Sequence, residues 1–356
     1  MKKIVFIINP ISGTGSKDAI PGLIGERIDT ERYAYEIVYT EYAGHASEIT
    51  KDCVARGIDI VVAVGGDGTV NEVARALVGS ATALAIIPCG SGNGLARHLM
   101  LPTTVERTLD IINEGVIHDL DYGVINGHPF FCTCGMGFDA FISKKFAEAG
   151  KRGKLTYLEN VLKEGMRYEP ETYRISLDGG EPMEYEAFLI SIANASQYGN
   201  DAYIAPQASM ADGLLDIVIM QPFDILEAPQ LGIDLMSKTL NQSAKTKCFK
   251  ATDIMIRRSA PGLIHYDGDP VEAEADLHIE LKSKQIRIVV NEHANKNKRK
   301  PNIMQSLFSQ VVNDIHSMRE DAITQAGQVT QQAISQVDQM AQQAIKTAKK
   351  LVKNEK

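Results

Sequence analysis

Residues 61–72 read Val-Val-Ala-Val-Gly-Gly-Asp-Gly-Thr-Val-Asn-Glu, and this stretch decides the fold. Its four leading apolar residues lack polar alternation, which suits a strand buried on both faces. They enter a turn with glycines at 65, 66 and 68, and the turn opens a helix. A strand, a glycine turn and a helix N-terminus in that order aim backbone N–H groups at an anion, and the helix dipole reinforces them. Glycine lets the backbone come close to a phosphate. Asp67 puts a carboxylate among those donors, which is unfavourable unless it holds Mg²⁺ or takes a proton. The turn lacks the Gly-Lys-Ser/Thr ending of a Walker loop, and it is not the Gly-x-Gly-x-x-Gly of a dinucleotide site.

Two more strand ends are built alike. Asn9-Pro10-Ile11-Ser12-Gly13-Thr14-Gly15 follows the apolar run Ile4–Ile8, and Pro88-Cys89-Gly90-Ser91-Gly92-Asn93-Gly94 follows Leu84–Ile87. With Tyr33–Tyr39 and Ile58–Val64 these runs predict four strands, and helical patterns fall around 17–28, 45–56, 69–78 and 103–114. Such alternation predicts a parallel sheet covered by helices, an α/β nucleotide-binding domain over residues 1–122. Ligands of such sheets bind beyond the carboxyl ends of the strands, so the three turns describe one pocket.

Beyond residue 122 strand patterns dominate, at 129–134, 171–178, 184–193, 214–221, 249–257, 276–281 and 285–290. Turn signals separate them, among them Asp178-Gly179-Gly180, Asp212-Gly213 and Asp267-Gly268, and helical segments interrupt near 154–167 and 224–239. The pattern predicts a β-sandwich domain over 123–293.

The composition sets outer bounds. The chain has 356 residues, 44% hydrophobic and 23% charged, which excludes a disordered or collagen-like polymer. No apolar run approaches the ~20 residues of a membrane-crossing helix. Met1-Lys2-Lys3 leads into only five apolar residues and no small-residue cleavage site, so a cytoplasmic protein is expected. Five scattered cysteines include one close pair, Cys132 and Cys134, with no second pair or histidine cluster for zinc; reduced, buried thiols are expected. The net charge is −8, yet residues 296–356 hold ten Lys and Arg against five Asp and Glu. An acidic body argues against nucleic acid as a partner.

Residues 294–302 form a basic, proline-containing linker, and an eleven-residue repeat follows over 303–352. Leu307, Met318, Val329, Met340 and Leu351 recur at that interval, as do Val312, Ile323, Ile334 and Ile345. Eleven residues in three turns predict a long, nearly straight amphipathic α-helical tail. Its apolar stripe needs cover, from another copy of the chain (a homo-oligomer) or from an anionic membrane surface met by the flanking lysines.

The motifs together resemble the diacylglycerol kinase catalytic family, which includes bacterial lipid kinases and the sphingosine and ceramide kinases. The resemblance spans about residues 1–292. It rests on NPISG (9–13), Thr40 before Gly44-His45-Ala46, GGDGTVNE (65–72), PCGSGNGLAR (88–97) and GMGFDA (135–140). Arg152-Gly153-Lys154-Leu155, IAPQASMADGLLD (204–216) and Tyr266-Asp267-Gly268-Asp269 complete it. The family implies an NAD-kinase-like three-layer nucleotide domain, a C-terminal β-sandwich and a cleft between them.

The resemblance further implies an ATP- and Mg²⁺-dependent lipid kinase that meets its substrate at the inner membrane surface. Asn9, Pro10, Ser12, Gly13, Thr40, Gly66, Asp67, Gly68, Thr69, Asn71, Glu72 and Ser91 would contact ATP, with Asp67 also acting on Mg²⁺ or the phosphates. Ser209, Asp212 and Leu214 would hold a structural Mg²⁺, or form a plain Asp-Gly turn. Asp269 stands where the family has a glutamate proposed as general base, one methylene longer. Asp139 matches an acidic position that meets the lipid's polar head in sphingosine kinases, or it caps the helix near 140–149. Gly-Ser-Gly-Asn at 90–93 looks more like the sphingosine and ceramide branch than the Gly-Thr-x-Asn of many bacterial diacylglycerol kinases. An NAD kinase, which shares Gly-Gly-Asp-Gly-Thr, and a membrane or assembly scaffold without activity are the competing readings.

Overall fold

The computed structural model describes residues 1–13, 17–149, 168–224 and 226–294. The Arg152–Leu155 motif, the helix expected near 154–167, most of the basic linker and the eleven-residue repeat lie outside the described residues.

The first half alternates as its sequence predicts: β1 (Lys2–Ile8), α1 (Ile20–Arg27), β2 (Tyr33–Tyr39), α2 (His45–Ala55), β3 (Ile60–Gly65), α3 (Asp67–Leu77) and β4 (Ala83–Pro88). Ile4–Ile8, Ile60–Val64 and Ala83–Ile87 are all 1% exposed or less, the burial that their unbroken apolar runs demand. A large side chain moved from water into such a place contributes about 1.5–3 kcal/mol. The strands run parallel in the order β2-β1-β3-β4. A short helix that the sequence pattern does not predict, α4 (Gly94–His98), precedes α5 (Val105–Glu114). α1 packs with α5 and α2 with α3. Right-handed crossovers place these pairs on opposite faces of the sheet.

The second half comprises β5 (Ile117–Ile125), β6 (His128–Phe130), β7 (Thr133–Gly137), α6 (Phe138–Ala149), β8 (Glu171–Leu177), β9 (Met183–Ala187), β10 (Leu189–Ala193) and β11 (Leu215–Met220). It continues through α7 (Ala228–Ser237), β12 (Thr246–Ala251), β13 (Asp253–Arg257), β14 (Gly262–Tyr266), β15 (Asp269–Ala273) and β16 (Asp276–Val289). The strands form two sheets around a core that includes Met136, Ile192, Ile217, Ile256 and Ile279.

Two strands expected as single runs are split. The run 184–193 breaks at Phe188 and the run 249–257 at Thr252, and at each break the chain passes from one sheet to the other. β9 and β13 lie in the larger sheet, whereas β10 and β12 lie in a six-stranded antiparallel sheet, β12-β11-β10-β7-β14-β15. The apolar pattern hides these corners because both sheets face one core. Conversely, 276–281 and 285–290 are one strand, β16, with an irregularity between Lys282 and Ile286.

β16 joins the two halves. It pairs with β13 in the sandwich, and its far end runs parallel to β4 through Ile288 and Leu84. β5, which contains residue 122, lies antiparallel beside it across the same junction. One continuous sheet therefore runs from β2 to β9, and the nucleotide layer and the sandwich share it. Among the described residues no helix is long and apolar enough to cross a membrane. Cys53 and Cys134 are buried and Cys89 and Cys132 half-buried, but Cys248 is exposed, because β12 is an edge strand.

Candidate active site

The glycine turns after β1, β3 and β4 interlock. A Cβ on Gly13, whose φ is +68°, would stand 1.8 Å from the Cys89 carbonyl oxygen, and one on Gly90 would stand 2.7 Å from the Gly66 Cα. Only bare backbone can pack this closely. Side chains fasten the same turns. Asn9 Nδ2 donates to Thr69 Oγ1 at 3.0 Å, and Asn9 Oδ1 accepts the Ile11 N–H at 3.1 Å. Asn93 clamps its own turn, accepting from the Gly90 N–H at 2.9 Å and donating to the Gly90 carbonyl at 2.7 Å. Asp67 joins the second turn to the third: its two oxygens accept the N–H groups of Asn93 at 2.8 Å and Gly94 at 2.7 Å. A carboxylate has about four lone-pair positions, so each oxygen keeps one for a Mg²⁺ ion or its water. Asp67 fits that role.

The structure divides the residues expected around ATP into two groups. Pro10, Gly13, Gly68 and Ser91 are exposed at the mouth of the turns, with Ser12 and Gly66 half-buried beside them. Thr40, Thr69 and Asn71 are buried. Glu72 reaches away from the mouth, and its oxygens accept the N–H groups of Gly44 at 2.9 Å and Ala46 at 3.2 Å. It neutralises the N-terminus of α2, as an acidic group there should. The second group thus holds the loops that the first group presents.

The sandwich closes on this site through the β14–β15 hairpin. Asp267 and Gly268 both have positive φ, 52° and 85°, the backbone of a two-residue type I′ turn. Asn71 Nδ2 donates to the Asp267 carbonyl at 3.3 Å. Arg75, one helical turn further along α3, bonds Asp269 Oδ2 at 2.7 Å and the Tyr266 carbonyl at 3.3 Å, and its guanidinium lies 4.7 Å from the Tyr266 ring centre. Asp269 is therefore held on the flank of α3, whereas Asp67 sits at its N-terminus. The Asp267 side chain is 2% exposed and accepts the N–H groups of Phe131, Cys132 and Thr133. Burial pushes its carboxyl up to about 6, against those donors and the nearby Arg75, which favour the charged form.

A second set of contacts clasps the two halves behind the turns. Arg97 Nη1 pairs with Asp201 at 3.2 Å, and the Ser196 N–H donates to His98 Nδ1 at 3.0 Å. Burial lowers the His98 pKa to about 4, so the ring is neutral there. Asp139 lies in the first turn of α6, 7% exposed, and accepts the Tyr198 hydroxyl at 2.9 Å.

Comparison with known proteins gives the family. Residues 3–125 match the model of the diacylglycerol kinase catalytic domain, and residues 132–305 that of the YegS C-terminal NAD kinase beta sandwich-like domain. A diacylglycerol kinase of Mycobacterium tuberculosis is 30% identical over 294 residues, covering 76% of this chain and 91% of that protein. The chain belongs to the diacylglycerol kinase catalytic family. A diacylglycerol kinase of Bacillus subtilis is 28% identical, over 64% of this chain and 76% of its own length. In fold the kinase resembles a putative diacylglycerol kinase of Bacillus anthracis, with a TM-score of 0.67 at 23% identity over 82% of this chain and 98% of that one.

The loop expected to hold a structural Mg²⁺ is built from local contacts and one ion pair. Asp212 Oδ1 accepts the Leu214 N–H at 3.2 Å, and Asp212 Oδ2 takes the Lys250 ammonium at 2.8 Å. Ser209 Oγ accepts the Ala211 N–H at 3.3 Å. Lys250 also meets Asp216 at 3.1 Å, so a lysine supplies the positive charge of this loop. Asp212 thus has one oxygen on a backbone N–H and the other on Lys250. The loop is anchored by Asp121, fully buried, which accepts from Gly213 N at 2.9 Å, Ser283 Oγ at 2.9 Å and Lys284 N at 2.7 Å.

Sequence reasoning missed Arg75, Asp121, Tyr198, Lys250 and the fastening roles of His98, His265 and Asp267. Asp267 carried one usable signal, the Asp-Gly turn. Arg75, Asp121, Lys250 and His98 bond to residues distant in sequence, which leaves no local pattern.

Proposed function

We propose that this kinase transfers the γ-phosphoryl group of ATP to the primary hydroxyl of diacylglycerol at the inner surface of the cytoplasmic membrane. The enzyme is an ATP-dependent lipid kinase, as its family membership establishes. The observation that supports the site assignment is the interlocking of the three glycine turns, which gathers turn backbone, with its N–H groups, at one sheet end beside the N-terminus of α3. Such donors stabilise a phosphoryl group as its charge spreads in the transition state. Mg²⁺, when bound with ATP, would neutralise the phosphates near Asp67.

Diacylglycerol is favoured over a sphingoid base by the environment of Asp139. A sphingoid ammonium needs a carboxylate to pair with, and this carboxylate is buried and already bonded to Tyr198. The relatives named diacylglycerol kinase support the same choice. Asp269 is proposed as the general base. Arg75 takes its Oδ2, leaving Oδ1 to accept the proton of the attacking hydroxyl.

Labelled ATP offered with diacylglycerol, sphinganine, ceramide or NAD in mixed micelles tests the reading. Label should pass to diacylglycerol at least tenfold faster than to the others. Transfer to NAD alone would replace the lipid assignment. Asp269→Asn should cost about 10²-fold in kcat and Asp269→Glu far less. An Asn variant at full rate would remove Asp269 from the chemistry.

A further inference from the structure

A chain of polar contacts joins the phosphate turns to the Asp267–Asp269 hairpin, and the chemistry above makes no use of it. It starts at Gly92, whose carbonyl accepts the Asn200 N–H at 3.2 Å. Gly199, Asn200 and Asp201 all have positive φ, at 113°, 51° and 63°. A Cβ on Gly199 would stand 2.9 Å from the Gly92 carbonyl, so this loop lies backbone against backbone on the third turn. Non-glycine residues hold such angles only where their surroundings enforce them, and they gather at functional sites.

Tyr198 carries the contact inward. Its hydroxyl donates to Asp139 Oδ2 at 2.9 Å and accepts from Ser191 Oγ at 3.1 Å. His265 Nε2 is buried and lies 3.1 Å from the same Asp139 oxygen, in close contact but outside hydrogen-bond geometry, so Asp139 meets the ring by packing and charge rather than by a hydrogen bond. The other nitrogen, Nδ1, accepts the Gly268 N–H at 3.3 Å, which assigns the ring proton to Nε2. Gly135 makes room for the pair: a Cβ there would stand 2.2 Å from Asp139 Oδ2 and 2.8 Å from His265 Nε2. A buried carboxylate is costly unless its partners are fixed, and these partners lead to the two ends of the cleft.

We infer that Asp139 is a positioning residue: through His265 it fixes the Asp267-Gly268-Asp269 turn, and through Tyr198 it keys that turn to the phosphate turn at Gly92. This deepens the proposed function and rests on Asp269 as the base. It also gives Asp139 a part other than contact with a lipid head.

The test is a set of kinetic and exchange measurements on the full chain in mixed micelles. Asp139→Asn and Tyr198→Phe should each lower kcat at least tenfold and leave the KM for diacylglycerol within twofold. A raised lipid KM with kcat retained would make Asp139 a head-group contact and overturn the inference. At His265 an asparagine places its oxygen where Nδ1 stands, whereas a glutamine extends toward Nε2. His265→Asn should therefore keep most of the rate that His265→Gln loses, and the reverse order would count against the relay. Amide hydrogen exchange over residues 266–269 separates this claim from the base assignment. It should speed up at least tenfold in Asp139→Asn and Tyr198→Phe but not in Asp269→Asn. If Asp269→Asn stays active while exchange responds to the relay variants, the base assignment falls and the positioning stands. Unchanged exchange in folded Asp139→Asn and Tyr198→Phe would end the positioning claim.

Discussion

At the ends of β1, β3 and β4 the cleft is made of backbone, and at the β14–β15 hairpin it is made of side-chain pairs. On the first side Gly13, Gly66 and Gly90 pack main chain against main chain, and Asp67 fastens two turns through N–H groups. On the second side Arg75, Asp267, Asp269 and His265 hold one another and α3. The first side presents fixed dipoles, which suit an anion whose identity changes little. The second presents groups that can be exchanged one at a time without rebuilding the backbone.

Asp67→Asn attacks the backbone side at its fastening point. The amide offers one oxygen to two N–H donors and turns its own NH₂ against the other, so the third turn loses its fixed distance from the second. Loss of the charge would also remove the proposed Mg²⁺ contact. Turnover should fall by about 10²-fold or more, with a melting temperature only a few degrees lower. Steady-state assay and thermal melting check both halves. Activity within threefold of the unaltered enzyme would show that the turns keep their spacing without this carboxylate.

The same contrast explains what was legible in the sequence. Gly-Gly-Asp-Gly-Thr and its two companions could be read because a turn's backbone needs are met by residues next to one another. Apolar runs announced β1, β3 and β4 because those strands are covered on both faces. The sandwich was legible as a class but not in its corners: Phe188 and Thr252 carry no break signal, since the core lies on both sides of each. Asp139 was visible as an acidic residue in a glycine-rich motif, but its partners are 59 and 126 residues away at Tyr198 and His265. Lys250, from β12, closes the 209–214 loop in the same way. Contacts of that kind exist only once the fold does.

His98 probes the seam between the two sides. Its lowered pKa means that the folded state binds fewer protons than the unfolded chain between about pH 6.5 and about 4. The clasp therefore contributes fully above pH 6.5 and weakens as pH falls toward 4. The ring is half-buried, so the loss amounts to about 1–3 kcal/mol. Thermal melts at pH 7.5 and 5.0 should show it. His98→Asn keeps an acceptor for the Ser196 N–H without the titration, and its melting temperature should depend less on pH. Equal pH dependence in both proteins would move the effect to other groups.

The smallest effect belongs to the corner at Thr252, far from the phosphate turns. Asp178 Oδ1 accepts the Thr252 N–H at 2.9 Å, the Thr252 hydroxyl at 2.8 Å and the Asp253 N–H at 2.9 Å, so one oxygen holds the point where β12 becomes β13. Those donors, the Thr252 N–H first, lower the Asp178 pKa. A carboxyl so shifted stabilises the fold above its unfolded pKa near 3.9, and the gain is lost as pH falls through the folded value. The side chain is solvent-exposed, so screening keeps the contribution to about 1 kcal/mol. Asp178→Ala should therefore lower the melting temperature by a few degrees at pH 7, by less below pH 4, and leave kcat unchanged. A fall in kcat at constant stability would mean that the corner strand communicates with the cleft through β13 and β16, and the division between a backbone side and a side-chain side would then be too sharp.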